Sequence, residues 1–132
     1  QRALRMCRSR GLFVQGYFML GAPGETVEEM KKTIAFAAGE PFDDALFDIT
    51  TPFPHTGLWE MSRDLIEADY SEFDCFHRSV YRLDGITPEQ IEKLKKNAFW
   101  RFYAHPARIL RTIRTVLGPR NFRRTLLKVR RV

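Results

Sequence analysis

Residues 12–20, LFVQGYFML, form a near-continuous apolar run rich in Phe, Tyr and Val. Its length and make-up predict a strand buried on both faces, as in a parallel sheet. Gly16 in its middle permits close approach of a backbone or helix. After the turn GAPG, residues 21–24, the period changes. Val27, Met30, Ile34 and Ala37 recur at helical spacing and mark one face of a helix. TVEE, residues 26–29, is a capping box that opens this helix, and Gly39 with Pro41 closes it. ALFDITT, residues 45–51, reads as a second strand, which gives a βαβ unit with parallel strands and a right-handed crossover.

Upstream, residues 2–9 read as the end of a basic helix closed by Gly11. Downstream, PFPHTG (52–57) must leave the sheet, because two prolines cannot join a ladder. LWEMSRDLI (58–66) predicts a short amphipathic helix, and RSVYRL (78–83) a short strand. TPEQ (87–90) is a second capping box, with a helix running to Tyr103 and broken at His105-Pro106. The aromatic residues Phe99, Phe102 and Tyr103 share one side of it at helical spacing. ARILRTIRTVL (107–117) then predicts a basic amphipathic helix, and NFRRTLLKVRRV a last basic segment. The pattern thus divides into βα units over 1–66, a connecting segment over 67–85 and a basic helical extension over 86–132.

Composition adds limits. The chain has 132 residues, 44% hydrophobic and 29% charged, enough for one modest globular core. No apolar run reaches the roughly 18 residues of a membrane span, and no signal peptide is visible, so a cytoplasmic setting is expected. The chain opens on Gln1 inside a basic helix, which reads as a piece of a longer protein. The net charge of +6 is uneven. Residues 86–132 hold thirteen basic and two acidic side chains, and residues 1–85 hold nine and fourteen. The basic tail therefore suits RNA, an acidic membrane surface or an acidic part of a partner.

Candidate chemistry is sparse. GAPGET lacks the lysine of a phosphate loop, and Glu25 stands where a cation is wanted. Glu25, Glu28 and Glu29 compete with any anion for the positive helix end, so phosphate binding is rejected here. Gly21, Pro23 and Gly24 turn a strand into a helix, at the strand carboxyl ends where parallel α/β folds bind ligands. Asp48 inside the second strand is either a satisfied structural carboxylate or part of a polar interior facing substrate or cofactor. His55 is the histidine nearest this rim. Cys7 and Cys75 form no metal-binding pattern, and no catalytic triad is apparent.

The stretches GYFMLGAPGETVEEMKKTIAFA and FDITTPFPHTGLWEM carry a resemblance. They are similar to the later half of the radical SAM core, which shows G-x-F-x-x-G-x-P-G-E-T, a helix, and a strand ending in T-P-x-P-G-T-x-L. WRFYAHPARILR resembles the C-terminal extension of the cobalamin-binding subgroup, which includes magnesium-protoporphyrin ester cyclases and related methyltransferases. The core likeness covers residues 1–62 and the tail likeness 86–115.

The resemblance implies an α/β fold: part of a (β/α) TIM-like barrel with a mainly helical extension. It implies S-adenosylmethionine and a 4Fe-4S cluster as cofactors, with cobalamin as a further one. Reductive cleavage of the sulfonium would give a 5′-deoxyadenosyl radical that oxidises, cyclises or methylates a small-molecule substrate. By carry-over, Gly21, Ala22, Pro23 and Gly24, and Thr50, Thr51, Pro52 and Pro54, border the cofactor. Glu25 and Thr26 fix the turn. Two departures stand out. The cluster motif CxxxCxxC is missing, so this chain alone is expected to be inactive and to need the preceding part of the barrel as partner. The family's Pro-Gly-Thr is here Pro54-His55-Thr56, with Gly57 displaced by two. No feature calls for a homo-oligomer. The rival reading is a non-catalytic basic module on RNA or an acidic membrane.

Overall fold

The computed structural model describes residues 1–66, 69–74, 76, 78–80, 82–106 and 108–110. Two parallel strands, β1 (Gln15–Leu20) and β2 (Asp44–Ile49), pair in register from Gln15↔Asp44 to Leu20↔Ile49. Helix α2 (Val27–Gly39) makes the crossover between them, as the apolar spacing requires. α1 (Arg2–Ser9) precedes β1, and α3 (Gly57–Ser62) and α4 (Pro88–Tyr103) follow β2. The chain divides into two compact units, residues 1–102 and 103–132. In the second, the amides of Arg108 and Ile109 donate to the carbonyl of His105, a helical turn just after the expected break. The basic segments expected over 107–117 and 121–132 otherwise lie outside the described residues, as do Cys75 and His77.

The core lies on one face of the sheet. Leu20, Ala45, Phe47 and Ile49 are buried there, against Met30, Ile34 and Ala37 of α2 and Ile91, Ala98 and Phe102 of α4. Aromatic rings knit the layers together. Phe18 of β1 stacks on Phe47 of β2 at 5.4 Å and meets Phe42 edge-on at 5.3 Å. Phe47 in turn meets Phe102 of α4 at 6.1 Å. Such pairs add about 1 kcal/mol each beyond their buried area. Gly16 makes room for this cluster, since a Cβ there would sit 2.5 Å from the Phe18 ring.

Burial on both faces does not occur. Strand alternation sends Gln15, Tyr17 and Met19, with Asp44, Leu46 and Asp48, to the other face. There Tyr17 is 70% and Met19 57% exposed. A continuous apolar run is needed for two covered faces, but the two helices packed on the sheet, α2 and α4, lie on the same side. Neither strand has a second neighbour among the described residues. The α/β class expected from the sequence is therefore present as a two-stranded parallel sheet with one helical layer.

Local differences have local causes. Thr26 caps α2 as expected, its hydroxyl accepting from Glu29 N and its amide donating to Glu29 Oε2 at 2.9 Å. This bonding holds the Glu29 carboxyl below the ordinary carboxylate range. Gly39 ends α2 without a left-handed turn, because Glu40 goes directly into extended backbone. The strand expected over 78–83 is absent among its described residues. Leu83 and Ile86 instead form one isolated bridge around Asp84-Gly85, with Gly85 at φ +71°. In the second capping box the reciprocal half is present, Thr87 N donating to Gln90 Oε1 at 2.9 Å.

Candidate functional site at the strand ends

The parallel register brings the carboxyl ends of β1 and β2 side by side. Thr50 N donates to Leu20 O at 2.9 Å, so the ladder continues to the first residue of the TTPFP segment. The two segments expected to form a rim, 21–24 and 50–54, thus leave adjacent strands at one edge. Gly21, Thr50, Thr51 and Pro52 are buried, Pro23 and Pro54 half-buried, and Ala22 and Gly24 exposed.

The turn after β1 is held by its own acid. Glu25 Oε2 accepts from Gly21 N at 2.7 Å and from Ala22 N at 3.0 Å. Two adjacent amides converging on one oxygen form an anion seat, and the chain fills that seat itself. Glu29 takes the Thr26 amide, and Glu28 pairs with Lys31 at 2.7 Å. The hydrogen bond from Lys31, then its charge, hold the Glu28 carboxyl below its ordinary range. Each acid of the helix start thus has a partner, which is why phosphate has no place here. Gly21 (φ +80°) and Gly24 (φ +79°) supply the left-handed backbone of the turn.

The second rim segment is also built from local bonds. Thr51 Oγ1 donates to Ile49 O at 3.2 Å. Thr56 caps α3, its hydroxyl donating to Phe53 O and accepting from Trp59 N at 3.1 Å. Between them His55 sits at φ +64°, the left-handed region that favours glycine. It stands where the resembled motif has its glycine, so the backbone there keeps the conformation a glycine would take most easily. His55 is exposed and belongs to the loop bend.

Three buried polar atoms of the described residues stand apart, one of them Ser62 Oγ in α3. Asp48 Oδ1 and Thr50 Oγ1 are sealed from solvent and have no hydrogen-bond partner among the described residues. Both follow the alternation onto the sheet face away from α2 and α4. At the other end of that face, Gln15 Nε2 satisfies Asp44 Oδ2 at 2.9 Å. Two of the three orphaned groups thus lie next to the rim, on the face that Asp44 and Gln15 share, which favours the polar-interior reading of Asp48 over the satisfied structural carboxylate. Sequence reasoning singled out Asp48 but gave no sign that Thr50 would be its companion.

A cavity of about 310 Å³ adjoins the turn, lined by Gly24, Glu25, Thr26, Leu65 and Asp84 among others. Its Asp84 comes from the connecting segment 67–85, and its Leu65 from the end of the segment expected to form the short amphipathic helix. No group of three metal-ligating side chains occurs among the described residues. Cys7 is a free thiol in α1, well outside the rim segments in sequence. These residues do not fit an iron–sulfur cluster.

The chain is 35% identical over 114 residues to a Pyrococcus horikoshii protein described as an uncharacterized methyltransferase, covering 84% of this chain and 25% of that one. It is 29% identical over 108 residues to the anaerobic magnesium-protoporphyrin IX monomethyl ester cyclase of Cereibacter sphaeroides, covering 81% and 18%. It is 24% identical over 110 residues to the bacteriochlorophyllide d C-8(2)-methyltransferase of Chlorobaculum tepidum, covering 81% and 24%. The chain thus spans a quarter or less of the length of these curated relatives. No protein-family model matches it. The relatives are named as enzymes, and the likeness supports a radical SAM-related family. No described helix is long and apolar enough to cross a membrane.

Proposed function

We propose that this chain is the late βα portion of a radical SAM core within a longer enzyme, and that its two strand ends border the S-adenosylmethionine site. The observation that carries this is the adjacency of the two motif-bearing strand ends, locked by the Thr50 N to Leu20 O bond. In parallel α/β folds, ligands bind at the carboxyl ends of strands. The open face with Tyr17, Met19, Leu46 and Asp48 is then the interior of a partial barrel, closed by strands outside these residues. The likeness to methyltransferases and a cyclase fits the same reading.

Each residue has a bounded part. Gly21, Ala22, Pro23 and Gly24 give a rim whose backbone is set by Glu25 and left-handed glycine geometry. Asp48 and Thr50 hold unpartnered oxygens beside the rim, acceptors of the kind that suit the hydroxyl, amino and ammonium groups of S-adenosylmethionine or of a polar substrate. When bound, that cofactor supplies radical chemistry through cleavage of its sulfonium. The cluster needs ligands from outside this chain, and cobalamin, as an additional cofactor, belongs to the same proposal. The substrate class is a small molecule to be oxidised, cyclised or methylated.

The test uses the full-length protein, reconstituted anaerobically with iron and sulfide. We expect cleavage of S-adenosylmethionine to 5′-deoxyadenosine, lost when the cysteines upstream of this chain are replaced, and no cleavage by residues 1–132 alone. A well-folded full-length protein that forms neither cluster nor 5′-deoxyadenosine would contradict the reading and leave the basic tail as the lead.

A further inference from the structure

Helix α4 leaves one arc of its surface uncovered. Ile91, Ala98 and Phe102 are buried, a stripe at i, i+7 and i+11. At 100° per residue, Lys93, Lys96, Asn97, Trp100 and Arg101 fall away from that stripe, and all five are exposed. Trp100 is 68% exposed, and the neighbouring Phe99 meets it edge to face at 5.8 Å. A groove of about 400 Å³ runs between this arc and the start of α2. Val27 and Leu94 give it an apolar floor, and Lys31, Lys93 and Arg101 edge it. The two acids of α4, Glu89 and Glu92, lie in its first half, so its second half is basic. In sequence, the next thirty residues add nine basic side chains and no acid.

We propose that this arc docks the protein on an anionic lipid surface, with Trp100 entering the interface and Lys93, Lys96 and Arg101 engaging the headgroups. An indole has an apolar body and one N–H donor, and it gains most at a membrane–water boundary. Lysine and arginine stems cover apolar surface while their charges stay in water beside anionic phosphate. The surface thus matches an anionic bilayer in both charge and polarity. Nucleic acid fits less well. Base stacking uses flat aromatic faces presented in succession, and here the edge of one ring of the Phe99–Trp100 pair covers the face of the other. This inference stands apart from the radical SAM reading, because it uses no residue of the strand-end rim.

The test is flotation of the full-length protein with phosphatidylcholine vesicles, with and without phosphatidylglycerol, at low and high salt. Binding is expected with phosphatidylglycerol alone and is expected to weaken as salt rises. Lys93→Gln with Arg101→Gln should lower the partition coefficient about 25-fold, roughly fivefold per cation. Trp100→Ala should lower it about tenfold. These side chains are exposed, so the variants keep the parent melting temperature, which is the check on folding. Failure to bind anionic vesicles overturns the proposal, and so does equal binding to neutral ones. Unchanged binding by the variants also overturns it, by placing the lipid contact elsewhere. Binding of single-stranded RNA through these same residues, with none to vesicles, would reassign the arc to nucleic acid.

Discussion

Phe102→Ala is expected to destabilise the protein by about 3–5 kcal/mol, whereas Phe99→Ala, three residues earlier on the same helix, should cost less than about 1 kcal/mol. Phe102 is fully buried and packs its ring on Phe47 of β2, so its removal empties the contact that fastens α4 to the sheet. Its partner Phe47 is held in turn by stacking on Phe18 at 5.4 Å, so it cannot collapse fully into the space. Phe99 is half exposed and meets the exposed Trp100 edge to face. Denaturant titration of both variants checks this. Equal losses would mean that α4 does not seat on the sheet through Phe102.

Gly21→Ala is expected to cost about 2–3 kcal/mol and to displace the rim. At φ +80° an L side chain costs about 1–2 kcal/mol. The added Cβ would also lie 3.1 Å from Ile91 Cγ2 and 3.2 Å from Cδ1, tight contacts worth about 1 kcal/mol more. Ile91 is fully buried and has little room to yield. Gly24→Ala is the internal comparison. Its φ is +79°, but nothing lies within 4 Å of the added atom, so only the backbone part should appear. A Gly21→Ala loss no larger than that of Gly24→Ala would contradict the packing of α4 beneath the turn. The same substitution moves the Gly21 amide away from Glu25 Oε2, so the turn loses part of its anchor as well.

Much of the βαβ unit is legible in the sequence because its signals are local. The capping box at Thr26, the apolar stripe of α2 and the proline exit after β2 each depend on a few neighbouring residues, and the structure shows each. What the sequence misjudged depends on distant parts of the chain. The apolar run of β1 shows how much of the strand is greasy, but not on which side the helices pack. Phe99, Phe102 and Tyr103 fit one helical side, yet only Phe102 falls on the stripe continued from Ile91 and Ala98. The Asp84-Gly85 pair is a turn signal that the apolar reading of residues 78–83 overlooked.

The rim was legible in part for the same reason. The glycines and prolines announce a turn, and the acids announce a helix start. That Glu25 would fold back onto Gly21 and Ala22 is a matter of turn geometry, not of residue type. The positive φ of His55 was equally hidden, although the displaced glycine of PFPHTG hinted at it. The orphaned oxygens of Asp48 and Thr50 appear only once the register of the two strands is fixed.

The measurement that tests the central claim most directly is amide hydrogen exchange of the full-length protein, anaerobic, with and without S-adenosylmethionine. The account predicts slower exchange with the cofactor in peptides covering 20–26 and 49–56 together, with α1 unchanged. Cofactor binding that leaves both strand ends unprotected, and shields other parts of the protein instead, would contradict it.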